Sequence, residues 1–424
     1  MKKIISLILC FMFIATASYS QTVLTLEECK QLAVDNYPLI KQYGLIEQAE
    51  EYTLQNISKN YLPQFGVNAQ ATYQSDVTKL PFDLSSMPIA VDIPTMSKDQ
   101  YKATLDVSQL VWDGGATASQ KKITKANTDV GNRQVEVNLY AIEEKINQLY
   151  FGILSIDKQL EIIDLTEQNL ISNKKIVLSM FNNGMAMQSD IDQIDVEFLS
   201  LEQSRIEQKN LRKASIQMLS LFTHKELDDE TILQKPQDII ALNSTITRPE
   251  LSLYNAQIDM YKAQESSIDA KNMPHVNLFA QGGYGRPGLN MLEDKFKLYA
   301  VGGVKVNWNF GSLYTKKNEK RLIDNNINNV EVQRETFLFN TKVQLTKEQL
   351  EIKKSTELLE KDDEIIRLRN RVKIAGESKY RNGVYQMNEL IRDINAEAVA
   401  YQSKAIHEIQ YLMNIYNYKH IQGN

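Results

Sequence analysis

The chain has 424 residues, of which 24% are charged, and its formal net charge is −5. This mild negative charge argues against nucleic acid as a partner, because proteins that bind nucleic acid present a basic surface. After the N-terminal segment, no run approaches the roughly 18 consecutive apolar residues of a membrane-spanning helix, so we predict none there.

Residues 1–20 have the pattern of a secretory signal peptide. A basic start precedes an apolar run, and the small residues Ser18 and Ser20 place the cleavage site before Gln21. The apolar run is too short to span a bilayer. Cleavage removes two lysines, which takes the net charge from −5 to −7. Cys29 is then the one cysteine left, so no intramolecular disulfide can form, and we expect it to be a half-buried helix residue.

Landmarks of the first half recur in the same order in the second half. The pairs are Pro63 with Pro274, Tyr73 with Tyr284, Trp112-Asp113-Gly114-Gly115 with Trp308-Asn309-Phe310-Gly311, and Gly184 with Gly383. Their offsets are 211, 211, 196 and 199 residues in that order. Chance matches would not preserve both order and near-constant spacing, so we interpret the chain as an internal duplication with a longer strand-to-strand loop in its first copy.

The first repeat is predicted at residues 21–222. Thr25 and Glu28 form a capping box that opens a helix, and this helix is expected to run to about Asn60 and to end before Pro63. The remaining elements are strands at 64–73 and 101–112, a long helix at 114–182 and a return helix at 188–221.

A more polar connector is predicted at 223–246, and the second repeat at 247–424. Its first helix starts near Pro249, a residue suited to a first turn. The remaining elements are strands at 275–284 and 298–308, a long helix at 312–379 and a return helix at 387–418.

The long helices carry an apolar seam with heptad spacing. From Leu139 to Ile163, apolar residues follow one another three and four positions apart. A helix of roughly 65 residues at about 1.5 Å per residue would span on the order of 100 Å, which is much longer than the diameter of a compact domain. Gly184 and Gly383 have the chemistry of left-handed caps, so we expect helix-tip turns there.

The four predicted strands alternate between apolar and polar residues. Each is about ten residues long, the length that a tilted strand needs to cross a bilayer. We predict that Val67, Leu105, Leu278 and Val304 face lipid and that Asn68, Gln70, Lys102, Asp106 and Lys305 face the lumen of a barrel. A half-buried strand of a soluble sheet would alternate in the same way. Four such strands in an exported, otherwise helical chain favour the barrel.

One chain cannot close such a barrel. In hydrocarbon, each unpaired backbone group at an open edge would cost several kcal/mol. About eight strands are the practical minimum for closure, and an eight-stranded barrel is filled by its own side chains. The charged residues predicted to point inward imply a wet lumen, so twelve strands from three chains are the smallest open solution.

Taken together, these features resemble the TolC-like outer-membrane efflux family over nearly all of the mature chain. The residues that carry the resemblance are Leu24-Thr25-Leu26-Glu27-Glu28, Asn36-Tyr37-Pro38, Tyr61-Leu62-Pro63-Gln64, Trp112-Asp113-Gly114-Gly115, Arg248-Pro249-Glu250-Leu251, Gly184 and Gly383. No single motif is specific, but the ordered set in duplicate is. The resemblance implies a mainly α chain with a small β-barrel part, located in the outer membrane as a homotrimer with a periplasmic helical tunnel. It also implies docking to a periplasmic adaptor (membrane fusion) protein and an inner-membrane pump.

The resemblance further implies a gate at the helix tips, closed by acidic residues beyond each tip glycine. Asp190 and Glu389 each stand six residues after their glycine and match the first acidic position. The second position, nine residues after the glycine, holds Gln193 and Arg392, so the second acidic ring is not reproduced. Further gate candidates nearby are Asp192, Asp195, Arg392 and Asp393. For each carboxylate the alternative is a solvated residue in the first turn of a helix, where the helix dipole favours negative charge.

The sequence offers no catalytic, cofactor-binding or metal-binding pattern. Its four histidines are not spaced as metal ligands, and we expect them to have ordinary surface roles. We therefore predict a passive duct that is not an enzyme and has no cofactor. Two alternatives stay open, the exit channel of a protein-secretion system and a secreted coiled-coil scaffold or adhesin whose strands never enter lipid.

Overall fold

The computed structural model describes residues 23–77, 96–237 and 245–423. The predicted signal peptide at 1–20 lies outside the described residues. The described α-helices are α1 (Leu26–Asn36), α2 (Lys41–Ser58), α3 (Ala116–Asn182), α4 (Gln188–Thr223), α5 (Pro249–Lys271), α6 (Leu313–Arg381) and α7 (Met387–Gln422). The described strands are β1 (Val23–Leu24), β2 (Gln64–Tyr73), β3 (Asp99–Trp112), β4 (Ile232–Leu233), β5 (His275–Arg286) and β6 (Lys297–Asn307).

The chain divides into two compact units, which are described separately. One unit comprises Tyr43–Arg133 and Ser252–Arg334, and it contains the sheet of β2, β3, β5 and β6. The other comprises Met1–Gln42, Gln134–Leu251 and Glu335–Asn424, and it contains both helix tips. The predominance of helix with few strands confirms the mainly α fold predicted from the sequence.

The first helix differs from the prediction, because it is broken near Pro38 instead of running on to Asn60. Thr25 opens α1 as expected, and its hydroxyl accepts the N–H of Glu28 at 3.2 Å. A proline disfavours helical backbone in the residue before it, and Tyr37 is extended with ψ of 131°. Pro38 then starts a short 3₁₀ turn, and α2 begins at Lys41.

The four-stranded sheet is antiparallel throughout, in the order β2-β3-β5-β6. The central pair, β3 with β5, joins one strand from each half of the chain. A bulge between Leu110 and Trp112 shifts the register at the end of β3. Within the described chain, β2 and β6 each pair on one side only and so form the two edges of the sheet.

A second, two-stranded sheet was missed by the sequence analysis. Strand β1 pairs in parallel with β4, which lies in the predicted connector. The Tyr150 hydroxyl lies within hydrogen-bonding distance of the Leu24 and Gln234 carbonyls, at 2.8 and 2.7 Å. The core around this sheet consists of Leu24, Leu26, Cys29, Ala33, Ile142, Ile146, Tyr150, Phe151, Ile153, Leu154, Ile216, Leu219, Leu233, Ile409 and Leu412.

Cys29 is fully buried in this core, so the prediction of a half-buried residue was wrong. Burial, assisted by the nearby Glu28 carboxylate, raises the pKa of the Cys29 thiol to about 12. A thiol reacts as its thiolate, and this one stays protonated at neutral pH. Cys29 is therefore a packing residue without thiol reactivity in the folded chain.

Arg248, just before α5, contacts two aromatic rings. Its guanidinium bonds the Glu250 carboxylate and lies 4.9 Å from the ring centroid of Tyr140 and 5.7 Å from that of Phe337. The His420 ring stacks on Tyr140 with 4.2 Å between centroids. His420 is buried, so the predicted surface role was wrong for this histidine.

Candidate functional sites: the sheet faces and the helix tips

The register of the four-stranded sheet sorts the predicted barrel residues onto two faces. Asn68 lies opposite Thr104, and Gln70 lies opposite Lys102. Because side chains alternate along a strand, the register places Asn68, Gln70, Lys102, Asp106 and Lys305 on one face, the polar face. It places Val67, Leu105, Leu278 and Val304 on the opposite, apolar face.

The apolar face is open to the surroundings of the single chain. Val67 is 80% exposed, Leu105 51%, Leu278 47% and Val304 62%. Soluble monomers rarely expose contiguous apolar patches of this kind, which mark surfaces that contact a membrane or another protein. The face therefore needs an apolar environment that the described chain does not itself supply.

Aromatic residues lie at both ends of the apolar face. At one end Tyr101, Tyr284 and Phe296 pack together, with the Phe296 ring centroid 6.2 and 5.5 Å from those of the two tyrosines. At the other end are Trp112 and Trp308, both exposed. Tyr284 is eight residues along β5 from Val276, the register partner of Trp112. Eight residues at about 3.3 Å each give roughly 26 Å of strand between the two aromatic rows.

The polar face carries a hydrogen-bond network centred on Asp106. Its carboxylate accepts from Asn68 at 2.6 Å, from Thr104 at 3.0 Å and from Gln281 at 2.5 Å. The Lys102 ammonium lies 5.6 Å from the centroid of the Tyr299 ring. These contacts tie β2, β3, β5 and β6 together on the polar side.

A glycine-rich corner leads from β3 into α3, and Asp113 organises it. Asp113 is buried and accepts the N–H groups of Gly115 and Thr117, at 3.0 and 2.6 Å, and the Tyr61 hydroxyl at 3.0 Å. Burial opposes ionisation of this carboxyl, but the hydrogen bonds outweigh it and hold the pKa of Asp113 below its usual value. Gly114 has φ of +66°, and a Cβ there would lie 2.2 Å from that of Met273.

The corner of the second half uses Asn309 in the position of Asp113. The Asn309 side chain accepts the N–H of Gly311 at 2.9 Å, just as Asp113 accepts that of Gly115. Trp308 donates its indole N–H to the Asn272 carbonyl at 3.1 Å. Both corners thus use a side-chain oxygen to satisfy an amide two residues later in the chain.

Both helix tips turn at the predicted glycines. Gly184 has φ of +72° and Gly383 has φ of +71°, a left-handed conformation that costs glycine little. Across the first tip the Met185 N–H bonds the Met180 carbonyl at 2.8 Å. Across the second the Val384 N–H bonds the Lys379 carbonyl at 2.9 Å, so the two hairpins close in the same way.

Asp190 and Glu389 lie in the first turns of α4 and α7. Asp190 accepts the N–H of Met187 at 2.9 Å, and Glu389 accepts the N–H of Gln386 at 3.0 Å. Each carboxylate therefore satisfies an amide at the start of its own helix. Asp190 also faces Tyr380 of the other hairpin. Burial and the Asp190 carboxylate raise the pKa of Tyr380 to about 12.

The other gate candidates occupy three different environments. Asp192 is exposed and accepts from Gln188 at 2.9 Å, and Arg392 is also exposed. Asp195 forms an ion pair with Lys174 across the first hairpin. Asp393 is buried inside the second hairpin, and its Oδ2 has no hydrogen-bond partner among the described residues.

A buried ion pair in the second hairpin was missed by the sequence analysis. Lys373 of α6 lies 2.6 Å from Glu397 of α7, with side chains only 10% and 2% exposed. Asn370 donates to the same carboxylate at 2.7 Å. Lys373 stands 199 residues after Lys174, the offset of the tip glycines, so the duplication aligned the two lysines but did not show that either is buried.

The two hairpins share one apolar cluster near their tips, called the tip core below. It draws on α3, α4, α6 and α7. Its members are Leu170, Val177, Met180, Ile191, Ile194, Tyr380, Met387, Leu390, Ile391 and Ile394. Contacts in the tip core fix the four helix ends relative to one another, which brings Asp190 next to Tyr380.

Within the described residues, no group of three or more His, Cys, Asp or Glu side chains could hold a metal ion. In the same part of the chain, no helix is both long and apolar enough to cross a membrane.

Comparison with solved structures identifies the fold. The chain matches the outer membrane protein VceC of Vibrio cholerae with a TM-score of 0.64 at 12% identity, covering 94% of this chain and 96% of that one. It matches the CmeC outer membrane channel of Campylobacter jejuni with a TM-score of 0.63 at 13% identity, covering 94% of this chain and 85% of that one. It matches the open state of the MtrE outer membrane channel of Neisseria gonorrhoeae with a TM-score of 0.62 at 12% identity, covering 94% of this chain and 89% of that one.

The chain has the TolC-like fold. At this level of identity the comparisons establish the architecture, and they confirm the resemblance stated from the sequence in that respect. The sequence matches no family model, and a search of curated proteins finds no significant match. The TolC-like fold therefore emerges here from the placement of the helices and the sheet and not from sequence identity.

Proposed function

We propose that the chain is one protomer of an outer-membrane exit duct. Three internally duplicated chains share a twelve-stranded barrel and a helical tunnel that extends into the periplasm. The duct passively conducts small molecules or secreted substrates to the exterior. The observation that carries this proposal is the exposed apolar face between two aromatic rows. The TolC-like fold supports it.

The dimensions of the sheet suit a bilayer. Barrels of the outer membrane carry an outward apolar band of about 25 Å flanked by aromatic girdles and a polar interior. Tilted by about 35–45°, the roughly 26 Å of strand between the aromatic rows rises about 20 Å, a height comparable with that band, and the opposite face is polar. The open edges of β2 and β6 would pair with those of further copies, because unpaired backbone groups are not tolerated in hydrocarbon.

The duct would receive its cargo from a periplasmic adaptor and an inner-membrane pump, after export directed by the signal peptide at 1–20. The same arrangement would serve a type I secretion system as well as drug or metal efflux. The secreted scaffold or adhesin remains the second candidate, and membrane fractionation separates it from a duct.

A matched pair of substitutions on β2 tests the membrane location. Val67→Asp places a charge on the apolar face, and Gln70→Asp places the same charge on the polar face beside Lys102. A charge that faces lipid at the midplane costs about 2–4 kcal/mol per chain for a basic residue and less for an aspartate, whereas a lumen charge costs little. We expect wild type and Gln70→Asp to need detergent and to run as heat-modifiable trimers in gels. We expect Val67→Asp to lose the trimer, and a water-soluble wild-type monomer would contradict the proposal.

We also propose that Asp190 and Glu389 form the gate, with Tyr380 as the partner of Asp190 across the hairpins. Asp190→Asn and Glu389→Gln remove the charge but retain an oxygen that can accept the first-turn amide. We expect these pores to lose cation preference and Mg²⁺ block in single-channel recordings. Unchanged selectivity and unchanged block in both variants would leave the two carboxylates with their capping role alone.

A further inference from the structure

The polar face of the sheet carries more positive than negative charge. Its charged side chains are Lys102, Asp106, Lys297 and Lys305. Lys297 forms an ion pair with Glu293, in the loop before β6. The remaining charges of the polar face are therefore the two ammonium groups of Lys102 and Lys305 and the single carboxylate of Asp106.

That carboxylate is engaged with uncharged donors and lies far from Lys305. Asp106 accepts hydrogen bonds from Asn68, Thr104 and Gln281, and its register partner is Gln281. Lys305 is opposite Asn277, four residues further along β5 and thus about 13 Å away. This exceeds the screening length of about 8 Å at physiological salt. Lys305 is exposed and makes no ion pair with any described residue.

A neighbouring copy would not neutralise Lys305. In a shared barrel the β6 edge of one chain pairs with the β2 edge of the next. The polar-face residues of β2 are Gln64, Gly66, Asn68, Gln70 and Thr72, and none of them is charged. Each chain would therefore contribute one uncompensated ammonium at the level of Lys305.

We infer that the barrel lumen favours anionic solutes over cationic ones, with the Lys305 side chains of the assembled chains as the selecting ring. The ring lies at the end of the barrel next to α6, because β6 leads into α6 shortly after Lys305. Fixed ammonium groups around a wet passage concentrate anions and repel cations. This inference rests on the proposed duct and applies to the barrel lumen, whereas the cation preference proposed above belongs to the gate residues Asp190 and Glu389 at the helix tips.

Charged thiol reagents measure the potential in the lumen directly. The probe is Asn277→Cys, opposite Lys305, and the buried Cys29 provides an unreactive background. The purified full-length protein is treated at physiological salt with an anionic and a cationic methanethiosulfonate, and each rate is divided by that of a free thiol. One positive charge at about 6 Å in water, screened over about 8 Å, changes local ion concentration roughly 1.7-fold. The ratio of anionic to cationic rates should therefore be about three.

The same ratio of reaction rates, measured in variants that change a lysine, identifies the side chain that causes the anion preference. It should fall towards one in Lys305→Gln and persist in Lys305→Arg, which keeps the charge. Gln70→Cys provides a second probe, and there the ratio should depend on its register partner Lys102. Ratios at or below one at both probes, or a ratio at Asn277→Cys that Lys305→Gln leaves unchanged, would overturn the anion preference while the pore stands. If neither reagent reaches either probe while Val67→Cys reacts readily, the polar face is not wet, and the duct itself is contradicted.

Discussion

The buried imidazole of His420 makes the stability of its surroundings depend on pH. Tyr140 of α3 stacks on it, and the cations that face it are Arg248 before α5 and Lys30 of α1, with Glu250 as the counter-charge. Burial, followed by repulsion from Arg248, lowers the pKa of His420 to about 4. The folded chain thus holds the neutral ring over the range in which an unfolded histidine gains a proton.

The depressed pKa fixes the direction of the pH effect. The neutral ring contributes its full stability above about pH 6.5, and the contribution is lost as the pH falls towards 4. The loss amounts to about 3 kcal/mol for one chain. We predict that His420→Phe flattens this part of the stability curve, measured by denaturant unfolding of the purified protein between pH 4 and 8. The half-buried His275, changed to Gln, is the control, and an equal loss between pH 6.5 and 4 in His420→Phe would contradict this account.

The ion pairs of the two hairpins differ in burial, so we expect them to contribute differently to the free energy of unfolding. Lys373 and Glu397 are almost fully enclosed between α6 and α7, whereas Lys174 and Asp195 remain partly exposed between α3 and α4. Removing one partner of a buried pair leaves an uncompensated charge and typically costs 3–5 kcal/mol, about five times the value of an exposed pair.

A double-mutant cycle with a matched control follows from this difference. We predict that Lys373→Met alone destabilises the protein by about 3 kcal/mol, and that adding Glu397→Leu restores most of the loss. Lys174→Met, at the corresponding position of the first hairpin, should cost less than about 1 kcal/mol. Denaturant unfolding of the wild type, the two single variants, the double variant and Lys174→Met provides the measurement. Equal effects in the two hairpins, or no recovery in the double variant, would contradict the burial argument.

The elements that carry a long repeating pattern could be predicted from the sequence, whereas features set by local or tertiary contacts could not. Heptad spacing, strand alternation and paired glycines indicated long helices, amphipathic strands and tips, and the structure has these features at Ala116–Asn182, Gln64–Tyr73 and Gly184. The two-residue strands β1 and β4 are too short for any periodicity, so their pairing was invisible.

At the candidate sites, charge was predictable and environment was not. A lysine or aspartate in a helix is expected to be solvated, so nothing in the sequence showed that Lys373 and Asp393 are buried. Nor did it show that Asp190 lies beside Tyr380, because that contact depends on how two hairpins separated by nearly two hundred residues pack in the tip core. Pro38 is evident in the sequence, but the predicted helix to about Asn60 did not take into account that a proline can break it.

For the molecule as a whole, the two faces of one sheet decide the interpretation. An exposed apolar face, a polar face with a net positive charge and two open edges are explained together if several copies close a water-filled barrel in lipid. A soluble scaffold would have to cover the same apolar face with protein. The two possibilities predict opposite surroundings for side chains that are neighbours along one strand.

Spin-label accessibility of the purified protein in lipid bilayers measures those surroundings directly. Labels at Val67, Leu105, Leu278 and Val304 should collide with dissolved oxygen, which concentrates in lipid, and should be shielded from a water-soluble nickel complex. Labels at Asn68 and Lys102, one strand position from an apolar-face residue, should show the reverse. Loss of this alternation, or access of the nickel complex to all four apolar-face labels, would contradict insertion of the sheet into the membrane.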